Sequence, residues 1–195
     1  METLREHTIV LRDSDLVLRP MTEDDWFLLY RWNDDPEVLY YAEGDDVRSR
    51  TPEEVHRIYR GVSRAAFMFI MEYNGVPIGE CWLQRMNLPR ILDRHPGLDL
   101  RRIDLAIGEK NMWEHGIGTR AIWLLTAFGF DREGADCIYG CDVADYNPRS
   151  RRAFERVGYE VEAEIACPPG GKARHVYDLV ITRETYHRTR EHRRS

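Results

Sequence analysis

The sequence contains no long apolar run: a membrane-spanning helix needs about 18 uninterrupted apolar residues, and none occurs in this chain of 195 residues. No membrane span is expected. Cysteine is scarce, with only Cys81, Cys137, Cys141 and Cys167, and neither a CxxC pair nor a Cys/His cluster has zinc spacing. No metal is therefore expected. Without a secretory h-region the thiols read as reduced and the location as cytoplasmic. Positive charge is the minority sign, Lys+Arg totalling 28 against Asp+Glu 34, for a formal charge of -6. Such a field draws cationic or amine-bearing partners and opposes nucleic acid. Repeats and low-complexity linkers are also missing.

What is present suits one domain. Hydrophobic residues make up 43% of the chain, and a chain of this size buries about two-thirds of its unfolded surface, enough to fold without staples. We read residues 1–182 as the domain and 183–195 as a basic tail, a solvated helix end rich in arginine. Val10 to Arg19 reads as extended chain interrupted by Asp13-Ser14-Asp15, and Thr22 with Asp25 starts a helix carrying Trp26, Leu28, Leu29 and Trp32. Thr51-Pro52-Glu53-Glu54 supplies an N-cap, a proline at the first helical position and a capping-box carboxylate, for a helix to about Arg60.

Ala66 to Tyr73, Asn74-Gly75 and Val76 to Leu83 form a hairpin signal, because Asn-Gly accepts the positive φ angles of a type I′ turn. Gln84 to Arg102, with Pro89, Pro96 and Gly97, reads as an irregular connection. Ile103 to Ile107 is a strand, Gly116 to Phe130 a helix, Cys137 to Val143 a strand and Pro148 to Val157 a helix capped by Asn147. Glu160 to Ala166 and Arg174 to Ile181 close the chain as a hairpin. That order predicts a mixed α/β sheet with parallel character wherever a helix intervenes.

Chemistry concentrates where the strand Ile103-Asp104-Leu105-Ala106-Ile107 runs through Trp113-Glu114-His115-Gly116-Ile117-Gly118-Thr119-Arg120 into a helix. The first amides of a helix lack intrahelical partners and sit at the positive end of its dipole. Gly116 and Gly118 have no β-carbon, so phosphate oxygens reach the main chain and a pyrophosphate fits. The third Rossmann glycine and the Gly-Lys-Ser/Thr of a nucleotide P-loop are both missing.

Downstream, the strand from Cys137 to Asp142 leads to Asn147-Pro148-Arg149-Ser150-Arg151-Arg152 and then Phe154-Glu155-Arg156-Val157-Gly158-Tyr159. An Asn cap, a helix ending aromatic-Glu-Arg-x-Gly-Tyr and the cradle before it, with Leu18-Arg19-Pro20 at the start, together resemble the GNAT superfamily of N-acetyltransferases over nearly the whole chain. Within it the pattern is most similar to the aminoglycoside 6′-N-acetyltransferases. The resemblance implies a GNAT-like central twisted mixed sheet of about six or seven strands flanked by about four helices. It also implies acetyl-CoA as cosubstrate, a small-molecule amine as partner, and a monomer or homodimer.

On the cofactor side the resemblance points to Leu105, Ala106, Ile107, Trp113, Glu114, His115, Gly116, Ile117, Gly118, Thr119, Arg120, Asn147, Ser150 and Arg152. On the acceptor side it points to Tyr40, Tyr41, Asp104 and Asp142. Two departures stand out. Phe154 has no proton to give a departing thiolate where many members have tyrosine, which leaves water, the amine or Tyr146. Trp113 stands where a Gln or Arg is usual, which leaves phosphate binding to the main chain.

Acetyl transfer from a thioester requires a deprotonated amine, a polarised carbonyl and a protonated leaving thiolate. Asp104 is the first choice for accepting the ammonium proton, with an ion pair to Arg101 or Arg102 as its structural alternative. Glu80, a charge amid the apolar strand Ile78 to Trp82, is the second. Backbone N–H groups of Leu105 to Ile107 would polarise the carbonyl if the strand splays there. Asp34, Asp35, Glu43, Asp45 and Asp46 favour a small polycationic acceptor such as an aminoglycoside. A protein or peptide N-terminus, and a non-catalytic acyl-CoA sensor, are the alternatives.

Overall fold

The computed structural model describes residues 3–44, 46–47 and 49–194, and among these the chain forms eight strands and seven α-helices. They fall into two compact units, Met1–Trp82 with Leu105–Ile117, and Leu83–Asp104 with Gly118–Ser195. Among the described residues no helix is long and apolar enough to cross a membrane.

In the first unit, β1 (Leu11–Asp13) and β2 (Leu16–Pro20) form an antiparallel pair whose turn places Ser14 at φ 53°. β2 then pairs antiparallel with β3 (Ala66–Tyr73), from Leu16 opposite Tyr73 to Pro20 opposite Phe69. A single 3-10 turn leads into α1 (Trp26–Asn33), with Asp25 Oδ2 accepting from the Thr22 N–H at 2.8 Å. α2 (Pro36–Ala42) is capped by Asp35, which accepts from the N–H groups of Glu37 and Val38. α3 (Pro52–Ser63) starts with the capping box foreseen at Thr51 and Glu54. Asn74 and Gly75 take φ 50° and 77° in the turn from β3 to β4 (Val76–Arg85), matching the hairpin. Strand order here is β1-β2-β3-β4-β5, with β5 spanning Leu100–Ile107. Leu29, Trp32, Val55, Tyr59, Met68 and Ile70 form the core, and burying each such side chain contributes about 1.5–3 kcal/mol.

The second unit holds the end of β4, the start of β5, and the chain from Gly118 onward, which includes all but the first residue of α5 (Ile117–Asp131), in strand order β4-β5-β6-β8-β7. β6 (Cys137–Ala144) pairs parallel with β5, as the intervening helix requires. After α6 (Pro148–Val157), β7 (Glu160–Ala166) and β8 (His175–Thr182) form the expected hairpin, and β8 is the strand that pairs with β6. β6 and β7 thus run the same way without touching, because the hairpin folds its second strand inward.

Eight strands exceed the six or seven expected because the interrupted segment Val10 to Arg19 is two strands. The helices outnumber the expected four through α2, through α4 (Pro89–Leu92) inside the supposedly irregular connection, and through α7 (Arg183–Arg194). The same connection begins β5 early, at Leu100, whose C=O accepts from the Met86 N–H at 2.9 Å. α7 is only partly a solvated helix end. Tyr186 is fully buried, stacks on Phe130 at 5.0 Å and donates to Asp131 at 2.9 Å.

Candidate active site

In the first unit, β4 and the end of β5 approach closely: a β-carbon on Gly79 would stand 2.3 Å from the Ala106 carbonyl oxygen. The adjoining Glu80 is buried at 5% exposure, where an ionised carboxylate requires hydrogen bonds. Tyr59 Oη donates to Glu80 Oε1 at 3.1 Å, and Asn33 Nδ2 donates to Tyr59 Oη and to the Leu29 carbonyl, both at 2.9 Å. Burial and then the Glu80 charge push the Tyr59 phenol well above its ordinary value, so it remains a donor.

Leu105, Ala106 and Ile107 are only half-buried despite being apolar strand residues. Trp113 does not reach outward with its ring nitrogen: Nε1–H donates to the Ile107 carbonyl at 2.7 Å, and the ring packs edge-on against Tyr41 at 5.5 Å. Tyr41 in turn meets Tyr40 at 4.9 Å. Two of the acids expected to attract a polycation, Asp35 and Glu43, are engaged within the chain. Lys110 Nζ lies 2.8 Å from Asp35 and 3.1 Å from Glu37, and Arg50 lies 2.6 Å from Glu43. Asp45 lies outside the described residues.

α5 begins at Ile117 directly after Gly116, which is exposed, has φ 75° and has nothing within 4 Å of where a β-carbon would stand. Glu114 is left-handed at φ 66°, so the chain turns sharply before the helix. An open surface over helix-start amides fits the diphosphate of a coenzyme A thioester. Gly116, Ile117, Gly118 and Thr119 would hold it through the main chain, with Arg120 on the same first turn. His115 Nδ1 is occupied by the Trp113 carbonyl at 2.8 Å.

In the second unit, Asp104 forms a two-point ion pair with Arg102, Nη2 to Oδ1 at 2.6 Å and Nε to Oδ2 at 2.9 Å. The structural alternative foreseen for Asp104 is thus realised. Although burial opposes its charge, Arg102 is raised above its ordinary value by Asp104 first and then by Cys141 and Asp142, which places both aspartates in one electrostatic neighbourhood. The parallel β5–β6 ladder runs from Leu100 opposite Cys137 to Arg102 opposite Tyr139. The β6–β8 register then shifts between Gly140 and Val143, and Asp142 takes φ 54°, left-handed for a non-glycine residue.

Two residues that sequence reasoning passed over join this group. Arg90 on α4 grips Asp178 on β8 at 2.9 and 3.0 Å and reaches Asp142 at 2.7 Å. Asp178, within Tyr177-Asp178-Leu179-Val180-Ile181, carries the same signal that marks Glu80: a charge inside an apolar strand. Asn147 spends its side-chain oxygen as the α6 cap, accepting from Ser150 N–H at 3.3 Å, while Arg152 is exposed. Phe154 is buried under Gly140, where an added β-carbon would sit 2.6 Å from its ring. Tyr146 has Lys172 Nζ 4.9 Å from its ring centroid. Burial pushes the thiols of Cys81, Cys137 and Cys141 up, which keeps them protonated and poorly nucleophilic.

The Acetyltransferase (GNAT) domain family matches residues 15–160. Aminoglycoside N(6′)-acetyltransferase type 1 of Klebsiella pneumoniae is 25% identical over 201 residues, covering 96% of this chain and 93% of the relative. Among solved structures, AAC(6′)-Ib in complex with ribostamycin and coenzyme A has a TM-score of 0.73 at 24% identity, covering 91% of this chain and 98% of that one. Spermidine N-acetyltransferase from Vibrio cholerae, in complex with coenzyme A and spermine, has a TM-score of 0.72 at 18% identity, covering 89% and 99%.

Proposed function

From the membership of this chain in the GNAT acetyltransferase family, which makes it an acetyl-CoA-dependent N-acetyltransferase, we propose that its acceptor is a small polycationic amine of the aminoglycoside kind. Attack by the amine is direct, in a ternary complex, with no acyl-enzyme. One observation carries the acceptor class: Asp104, Asp142 and Asp178 already bind cations, the guanidinium groups of Arg102 and Arg90. Carboxylates that hold guanidinium groups suit ammonium groups too. The 25% identity to an aminoglycoside acetyltransferase along nearly the whole chain supports the same class.

Bound acetyl-CoA supplies an activated acyl carbon. The chain's own residues do the rest. The main chain at Gly116 to Thr119 anchors the diphosphate, and the N–H groups of Leu105 to Ile107 stabilise negative charge on the acyl oxygen. Asp104 and Asp142 orient the acceptor's cations, and Tyr40 and Tyr41 wall it. Since Arg102 compensates Asp104, one ammonium proton passes to Glu80, directly or through water; as the C–N bond forms and the thioester C–S bond breaks, the second proton leaves the nitrogen for the departing thiolate, through water because Phe154 has no proton to give. Asn33 and Tyr59 hold that carboxylate in place. The neutral thiols agree with the absence of a covalent step.

Phe154 favours one second reading, an acyl-CoA sensor without turnover, because no phenol is available there to protonate a thiolate. Thiol release with acetyl-CoA and a panel of monoamines, linear polyamines, aminoglycosides and peptides separates the possibilities. Turnover on the small polycations, with a single added acetyl group by mass spectrometry, is the expected result. Turnover confined to peptides indicates N-terminal acetylation. Tight acetyl-CoA binding with no product on any amine indicates the sensor.

A further inference from the structure

We propose that Arg90 is a specificity-determining residue that occupies, as an internal cation, the place of one acceptor ammonium between Asp142 and Asp178; this rests on the polycationic-amine reading above. Asp178 has no exposure at all, so its charge cannot be solvated and must be met by a cation and hydrogen bonds. Arg90 meets it with two, Nε to Oδ2 at 3.0 Å and Nη2 to Oδ1 at 2.9 Å, and the Asp142 N–H adds a third at 3.2 Å. The same Nη2 bonds Asp142 Oδ1 at 2.7 Å.

The inner carboxylate is sealed, but the outer part of this ion triad is wet. The Arg90 side chain is 37% exposed and that of Asp142 48%. An arriving ammonium can therefore reach both carboxylates from solvent if the guanidinium swings away. Arg94 is poorly placed to take over, lying 3.9 Å from Asp178 while held by Glu162 at 2.9 Å. Hydrogen bonding to Asp178 first, then to Asp142, raises Arg90 above its already high ordinary value. It leaves this place by displacement and never by losing its proton.

An acceptor with one ammonium, directed to the acyl group, has no need of the Asp142–Asp178 pair. An acceptor with two or more gains that pair only by expelling Arg90. The residue thus tunes how strongly the enzyme favours polycations over monoamines.

The test compares kinetics of native enzyme, Arg90→Gln and Arg90→Lys at fixed low ionic strength, with one monoamine, one linear triamine and one aminoglycoside. Arg90→Gln is expected to lower KM for both polycations at least about tenfold, leaving that of the monoamine within about twofold. Arg90→Lys, which keeps a charge but loses the two-point grip, gives a smaller shift in the same direction. It also serves if the glutamine variant fails to fold. Equal shifts for all three amines, or an unchanged polycation KM in a folded variant, overturn the role of Arg90 alone. If native enzyme turns over no amine at all, the functional reading falls and this inference with it.

Discussion

Glu80 sits where water is scarce, on the strand next to the half-buried backbone of Leu105 to Ile107. With Arg102 already neutralising Asp104, the two acids should separate kinetically. Glu80→Gln is expected to lower kcat at least about tenfold, and Asp104→Asn to act mainly on the acceptor KM, both with acetyl-CoA affinity preserved by calorimetry. A large kcat loss in Asp104→Asn with none in Glu80→Gln would reverse the assignment. Glu80 was legible because a charge inside an apolar strand is anomalous, and Asp178 carries the same mark unread. Arg90 was not legible: its partner Asp178 lies 88 positions along the chain, and no local pattern connects an arginine in a proline-rich connection to a strand near the end of the fold. The Arg102–Asp104 pair was foreseeable, since residues two apart on a strand share a face.

At the scale of elements, local grammar was readable and insertion was not. The Thr51 capping box, the Asn74-Gly75 turn and the Asn147 cap each specify an element from adjacent residues, and each is present. The entry of β8 between β6 and β7 has no such signature, because it depends on pairing between distant strands. α2 lies between these cases. Asp35-Pro36-Glu37 repeats the cap, proline and acid order that announced α3, yet only seven residues follow the cap, too few for periodicity to show. Asp35 both caps α2 and pairs with Lys110 on the loop after β5. Asp35→Ala is therefore expected to cost about 1–2 kcal/mol, read as a lower urea midpoint. The Lys110 hydrogen bond first, then the capping amides, holds the Asp35 carboxyl below its ordinary 3.8. A group so depressed contributes fully above its unfolded value and loses that contribution as pH falls through the folded one. The gap between native and variant midpoints should thus stay level down to about pH 4 and close below it. A gap that widens in acid would mean Asp35 is not the charged partner.

For the molecule as a whole, composition announces a net charge of -6, but the distribution of that charge emerges only on folding. Asp35 and Glu37 face Lys110, Glu43 faces Arg50, Asp104 faces Arg102, and Asp142 and Asp178 face Arg90. Close pairs cancel at long range, so the net excess of acids sets the far field while displacement of arginine sets the near one. These two ranges respond differently to salt. The Debye length shrinks from about 30 Å at 0.01 M to about 8 Å at 0.15 M ionic strength, which removes far-field attraction for exposed charges yet barely touches contacts already made. Attraction also scales with the acceptor's charge. Between those ionic strengths, kcat/KM for an acceptor with three or more ammonium groups is expected to fall several-fold, while that for a monoamine changes less than about twofold. kcat should stay constant for both, because bound acceptor is unaffected by the outer field. Measuring initial rates in sodium chloride at constant pH, with acetyl-CoA saturating, tests this directly. Identical salt slopes for the two acceptors would show that charge number plays no part in recognition, and would leave the acids around Arg90 and Arg102 a purely structural role.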